Sequence, residues 1–203
     1  MKHPKFHFCV IMVFITVLMD VLPFAGFITY KQISITTMQI PAIITSIVLG
    51  PLYGMGIGAL FGILSLFHAI ARETTLLNVL FQNVLVSVLP RMCIGLVSGY
   101  LYLLFNKLFK GKLRVISTAV SALFGSLTNT ILVLLSLYVI YPSAMVTHFR
   151  VNTLAQLRGI LLGIVETNGI IEAVMSMVIS TLLVMFSFWL KKKCPNRAIA
   201  AEE

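Results

Sequence analysis

Long apolar runs occupy most of this chain, and they constrain its fold more than any other feature. Several of them reach about 20 residues, the length that an α-helix needs to cross the hydrocarbon core of a membrane. Only 10% of the 203 residues are charged, whereas about a quarter are charged in a typical soluble domain. The mean hydropathy of +1.04 agrees with this reading. We therefore expect a single integral membrane domain over residues 1–203.

The apolar runs divide into six expected helices. A break at Gly50-Pro51 separates the second helix from the third, because proline lacks an amide donor and disfavours helical geometry in the residue before it. Residues 143–158 read as a polar linker that is long enough to cover a cavity. The predicted class is an all-α membrane protein, a six-transmembrane-helix bundle with helices over about 6–29, 38–49, 52–71, 84–106, 113–141 and 160–190.

The basic residues are distributed unequally between the two ends of these helices. With six crossings, ten lysines and arginines fall on the side of the termini: Lys2, Lys5, Lys107, Lys110, Lys112, Arg114, Lys191, Lys192, Lys193 and Arg197. Four fall on the other side: Lys31, Arg72, Arg150 and Arg158. Cytoplasmic loops of membrane proteins carry the excess of lysine and arginine. Both termini are therefore predicted to be cytoplasmic.

Polar side chains within the expected spans are candidates for function, because ionisable groups inside a membrane are costly. A rise of about 1.5 Å per residue puts Arg91, Asn129 and Asp20 about 21–24 Å from the cytoplasmic ends of their helices. Glu172 and Asn168 come out higher, at about 27 and 33 Å. All of these side chains therefore fall at similar heights in the outer half of the membrane, which predicts an outward-opening pocket. The alternative is a closed structural network in which Arg91 pairs with Asp20 or Glu172.

Two further features concern packing and the pocket entrance. Gly54, Gly58 and Gly62 share one face of the third helix, where small residues let another helix approach closely. Such stripes usually serve packing alone. Asn83 precedes the fourth helix, where it either lines the mouth of the pocket or caps the helix.

Several chemistries have no motif in this sequence. There is no phosphate-binding loop, no His-Glu-x-x-His zinc motif, no Gly-x-Ser-x-Gly elbow and no cysteine pair with metal spacing. We therefore expect no enzyme activity, no metal and no cofactor bound by this chain. A small binding bundle of this kind would need partners to drive movement of a ligand.

Five segments, in order, resemble those of a known family: residues 34–41, 49–54, 81–91, 125–130 and 166–172. The sequence is similar to the substrate-binding subunits, or S-components, of energy-coupling factor (ECF) vitamin transporters, and most like the pantothenate-specific type. The resemblance implies capture of a vitamin on the outer side of a bacterial plasma membrane. It also implies a transmembrane coupling subunit and two cytosolic ATPase subunits as partners, with ATP and Mg²⁺ used by the ATPases.

Pantothenate is a small carboxylate with hydroxyl and amide groups, which a cation and several amides would suit. Arg91 would neutralise its carboxylate, while Asn129, Asn168 and Asn83 would hydrogen-bond its polar chain. Glu172 would accept hydroxyl protons or orient Arg91.

The first helix departs from the family pattern. Members often carry small residues on a face of this helix that packs against the coupling subunit, whereas Phe8 to Val17 are mainly bulky here. The docking surface would then involve the second and third helices, with Gly54, Gly58 and Gly62 as candidates.

Two alternative functions remain open on the sequence. In the first, the family is the same but the ligand is another vitamin or precursor, such as folate or a precursor of cobalamin or queuosine. In the second, the chain is a membrane scaffold or assembly protein, and its polar core is purely structural.

Overall fold

The computed structural model describes residues 4–22, 27–30, 33–71, 76–109 and 113–193. This part of the chain is predominantly helical, as the apolar runs predict. In chain order, its elements are α1 (Pro4–Val21), β1 (Phe27–Tyr30), β2 (Ile33–Thr36), α2 (Ile40–Leu49), α3 (Pro51–Ala71), α4 (Leu76–Leu80), α5 (Val84–Ser87), α6 (Leu89–Leu108), α7 (Arg114–Ile140), α8 (Pro142–His148), α9 (Leu154–Ile164), a π-helical turn (Val165–Gly169) and α10 (Ile170–Lys193).

Four helical segments in the described residues are long and apolar enough to cross a membrane: Pro51–Ala71, Val84–Leu108, Arg114–Ile140 and Leu154–Leu190. Many of their large apolar side chains are exposed on the outside of the bundle, as expected for helices that face lipid. In contrast, α2 has 10 residues, about 15 Å of helix, which is half the thickness of the hydrocarbon core. Its residues 40–47 are all buried, so α2 forms the centre of the bundle rather than a wall.

The prediction of one helix over about 6–29 is corrected by the structure. Helix α1 ends at Val21, and β1 and β2 form an antiparallel hairpin in which Phe27 pairs with Thr36 and Tyr30 with Ile33. Residues 23–26 of the predicted helix lie outside the described part of the chain. A helix continuing past Val21 would have to include Pro23, which cannot donate a helical hydrogen bond. The β-branched residues of both strands instead favour extended structure.

The glycine stripe packs α3 against α6 in an antiparallel arrangement. A Cβ atom added to Gly58 would overlap the carbonyl oxygen of Arg91, and one added to Gly62 would lie 2.6 Å from Cα of Val88. All three glycines of the stripe are buried. Their face is therefore occupied within the chain itself. This corrects the expectation that Gly54, Gly58 and Gly62 dock a separate subunit.

The region predicted as a polar linker, residues 143–158, is largely helical. It contains most of α8 and the first turn of α9, whose N-terminus is capped because the Thr153 hydroxyl accepts a hydrogen bond from the backbone N–H of Gln156 (3.3 Å). Met145 of α8 is buried against Leu137 and Leu157. The last long helix thus begins at Leu154 rather than about residue 160. The linker is folded onto the end of the bundle.

Candidate functional site

Buried polar side chains meet where α2, α6, α7 and α10 converge, close to the end of β2. We call Gln39, Arg91, Ser126, Asn129, Thr130, Glu172 and Ser176 the central polar cluster. Hydrogen bonds join Gln39 to Ser126 and Ser176, and Thr130 to Glu172, and Arg91 interacts electrostatically with Glu172. Asn129 is grouped with them because it is buried on α7 between Ser126 and Thr130. All of these side chains are buried except that of Thr130, which is half-buried. Such a concentration of polar groups in an apolar bundle is expensive unless each group is paired. The contacts of each member therefore indicate what the cluster can bind.

Arg91 lies in the first turn of α6 and is only 7% exposed. Its guanidinium donates a hydrogen bond from one terminal nitrogen to the carbonyl oxygen of Val86 (2.6 Å). It also lies over two aromatic rings, 5.2 Å from the ring centre of Phe81 and 5.6 Å from that of Phe61. Its Nε atom is buried without a hydrogen-bond partner. Among the described residues, no carboxylate forms an ion pair with it.

Glu172 is the acidic member of the cluster, in the first turn of α10. Its Oε1 accepts a hydrogen bond from the backbone N–H of Thr36 (2.5 Å), and its Oε2 accepts one from the hydroxyl of Thr130 (3.3 Å). Glu172 attracts Arg91 electrostatically across the cluster, although the two side chains are not in direct contact. It therefore ties the end of β2 to both α7 and α10. Its charge partly balances that of Arg91.

Gln39 joins three helices in the interior of the bundle. Its Nε2 atom donates hydrogen bonds to the hydroxyls of Ser126 on α7 (2.7 Å) and Ser176 on α10 (2.9 Å). The side chain is fully buried, and its Oε1 atom has no hydrogen-bond partner. Gln39, Ser126 and Thr130 are not among the site residues predicted from the sequence. Gln39 could have been identified from the sequence as a polar residue at the start of an otherwise apolar helix.

Asn129 is 6% exposed on the buried face of α7, one turn from Ser126. Its Oδ1 atom is also buried without a partner. The cluster thus contains one buried donor, Nε of Arg91, and two buried acceptors on Asn129 and Gln39 that make no hydrogen bond. Leaving such a group unpaired costs about 1–3 kcal/mol. A ligand with an anionic group and hydrogen-bond donors would satisfy them.

The other predicted site residues lie away from this cluster or have partners of their own. Asn83 caps α5, since its Oδ1 accepts from the backbone N–H of Leu85 (2.9 Å), and its Nδ2 donates to the hydroxyl of Tyr141 (3.0 Å). Asn168 is half-buried in the π-helical turn that leads into Glu172. Asp20 lies 3.5 Å from Nδ1 of His68, so the structure does not pair it with Arg91.

The chain matches a sequence model described as "ECF transporter, substrate-specific component" over residues 8–184. It is 30% identical over 189 residues to "Pantothenate transporter PanT" of Leuconostoc mesenteroides, covering 88% of this chain and 91% of that protein. It is 28% identical over 163 residues to "Pantothenic acid transporter PanT" of Lactococcus lactis, covering 73% of this chain and 75% of that protein. The chain therefore belongs to the substrate-specific components of ECF transporters, which are binding subunits of membrane transporters and not enzymes.

Proposed function

We propose that this chain captures pantothenate for uptake into the cell. The observation that carries the proposal is the buried guanidinium of Arg91, which has an unpartnered Nε and makes no ion pair with a described residue. Such a group favours an anionic ligand, since a buried charge is stable only when it is paired. The two relatives, which are named as pantothenate transporters, support pantothenate as that anion.

The polar groups of the cluster match those of pantothenate. Arg91 neutralises the carboxylate, and the unpartnered oxygens of Asn129 and Gln39 accept hydrogen bonds from the amide N–H and a hydroxyl. Asn168 and Asn83 contact the ligand nearer the entrance, where Asn83 is already held by Tyr141. Glu172 positions these groups rather than binding the carboxylate, because two like charges repel each other.

Pantothenate reaches the cluster only when the bundle opens. Arg91, Asn129 and Glu172 are each 6–7% exposed, so little of the cluster is accessible in this conformation. The hydrogen bond from Thr36 to Glu172 links the hairpin of β1 and β2 directly to the cluster. Opening therefore involves a change at this contact.

We further propose how this chain is arranged in the membrane and which subunits it assembles with. The whole chain is one membrane domain, in which α1 and α2 join the four long spans in a six-helix bundle with an outward-facing site. Both termini are cytoplasmic, in a bacterial plasma membrane. Six of the basic residues that carry this orientation lie outside the described part of the chain: Lys2, Lys31, Arg72, Lys110, Lys112 and Arg197. A coupling subunit and two ATPases that use ATP and Mg²⁺ drive transport, and this chain binds no cofactor.

Equilibrium binding of radiolabelled pantothenate to the purified subunit tests the proposal. The wild-type protein should bind pantothenate, and Arg91→Ala should lose most of its affinity. Arg114→Ala is the matched control. The guanidinium carbon of Arg114 lies 5.0 Å from the ring centre of Phe188, and Arg114 is at the end of α7 far from the cluster. Full affinity in a folded Arg91→Ala variant would contradict the role of Arg91. Saturable binding of folate, or of a cobalamin or queuosine precursor, in place of pantothenate would instead favour another ligand.

A further inference from the structure

A groove of about 370 Å³ opens on the outside of the bundle between α7 and α9. Its walls are almost entirely apolar and include Ile131, Leu135, Leu162 and Val165. Tyr138 and Arg158 also line it. The central polar cluster does not contribute to this groove, so it is separate from the proposed vitamin site.

The two polar residues lie at the same end of the groove. A Cβ atom added to Gly169 would lie 3.2 Å from the side chain of Thr130, and Leu157 and Leu137 belong to one buried hydrophobic cluster near the other end of α7. The two helices therefore run antiparallel. Tyr138 and Arg158 mark the end of the groove next to α8, and the aliphatic residues continue away from it.

The groove runs about 10 Å along α7, from Ile131 to Tyr138, at the headgroup end of one leaflet. Tyr138 lies 24 residues beyond Arg114 along α7, a rise of about 36 Å, whereas the hydrocarbon core is about 30 Å thick. With Arg114 near one membrane surface, Tyr138 and Arg158 reach the headgroup level of the opposite leaflet. Ile131 lies about 26 Å from Arg114, inside the hydrocarbon.

Arg158 is an exposed cation, and the described residues provide it with neither an ion pair nor a hydrogen bond. Beneath it, Ile131, Leu135 and Leu162 are 47%, 51% and 57% exposed. A phospholipid has the complementary order of groups, a phosphate at the headgroup level and acyl chains below. We propose that this groove is a binding site for an anionic phospholipid, whose phosphate contacts Arg158 and whose acyl chain lies along α7 and α9.

The lipid is anionic rather than zwitterionic because of the charge at the headgroup level. A choline headgroup would bring a second cation towards Arg158, whereas a phosphatidylglycerol headgroup adds none. Each basic side chain near an anionic membrane surface contributes about 1 kcal/mol to the free energy of binding. This corresponds to a roughly fivefold preference for the anionic lipid over the zwitterionic one.

Native mass spectrometry of the full chain with an equimolar mixture of phosphatidylglycerol and phosphatidylcholine, carrying identical acyl chains, tests the proposal. The wild-type protein should retain phosphatidylglycerol about fivefold more than phosphatidylcholine. Arg158→Gln should abolish this preference. Arg150→Gln removes the same charge from an exposed residue outside the groove and should leave the preference unchanged. Leu162→Trp should fill the groove and reduce retention of both lipids.

Equal retention of the two lipids by the wild-type protein would overturn the proposal, without any variant being needed. So would an undiminished preference in Arg158→Gln, or unchanged retention of both lipids in Leu162→Trp. None of these results bears on whether the central polar cluster binds a vitamin.

Discussion

Adding one methyl group at Gly58 should destabilise the bundle, because this glycine lets two backbones touch. A Cβ atom there would overlap the carbonyl oxygen of Arg91, and it would lie 2.9 Å from the carbonyl carbon of Arg91 and 3.3 Å from Cα of Met92. All three atoms belong to the backbone of α6, so no side-chain rotation can relieve the overlap. The helices have to separate, and overpacking of this kind costs about 1–3 kcal/mol.

Gly56 provides the matched control two residues earlier in the same helix. It is exposed, and an added Cβ would have nothing within 4 Å. Gly56→Ala should therefore stabilise α3 by up to about 1 kcal/mol, through helix propensity alone. Both substitutions gain the same helix propensity, so it cancels in the comparison. Gly58→Ala should have a free energy of unfolding about 1–3 kcal/mol lower than that of Gly56→Ala.

Reversible unfolding in mixed micelles of mild detergent and sodium dodecyl sulfate, followed by circular dichroism, measures this difference. Pantothenate binding should also weaken in Gly58→Ala, since the backbone that has to move carries Arg91. If the two variants unfolded within about 0.5 kcal/mol of each other, α3 and α6 would not be in close contact at Gly58. The stripe would then again be a candidate surface for docking a partner subunit.

Two further substitutions test the hydrogen bonds of the central polar cluster in the same unfolding assay. Gln39→Leu removes both hydrogen bonds to the serines of α7 and α10 and should lower stability by about 1–3 kcal/mol; no loss would show that the three helices are not joined there. Thr130→Val keeps the shape of the side chain but loses its bond to Glu172, and should cost about 1 kcal/mol. Thr128→Val should change stability less, because the Thr128 hydroxyl bonds only to a carbonyl of its own helix.

The sequence was sufficient to predict the features that depend on helical periodicity. Gly95 and Gly99 follow Arg91 by four and eight residues, so helical periodicity places all three on one face and points Arg91 at a close helix contact rather than at lipid. In the structure, Gly95 packs on the backbone of Gly54, and Arg91 is buried. The positions of the long spans follow in the same way from the lengths of the apolar runs.

The hairpin was not predicted, because the first helix was extended to about residue 29 on apolar composition alone, although Pro23 and the β-branched residues that follow favour extended structure. The pairing of residues 27–30 with 33–36 is visible only in three dimensions. The role of Gln39 depends on Ser126 and Ser176, which lie 87 and 137 positions further along the sequence. The π-helical turn before Glu172 likewise has no sequence signature, although such turns frequently occur at functional sites.

We propose that Arg91 recognises the carboxylate of pantothenate, and a comparison with panthenol is the sharpest test of this role. Panthenol has an alcohol in place of the carboxylate and is otherwise the same molecule. Truncating one partner of a buried charge pair costs about 2–5 kcal/mol, so calorimetric titration should show wild-type protein preferring pantothenate by about 30-fold or more. In Arg91→Gln this preference should disappear. A folded Arg91→Gln variant that still preferred pantothenate to the wild-type extent would contradict the claim.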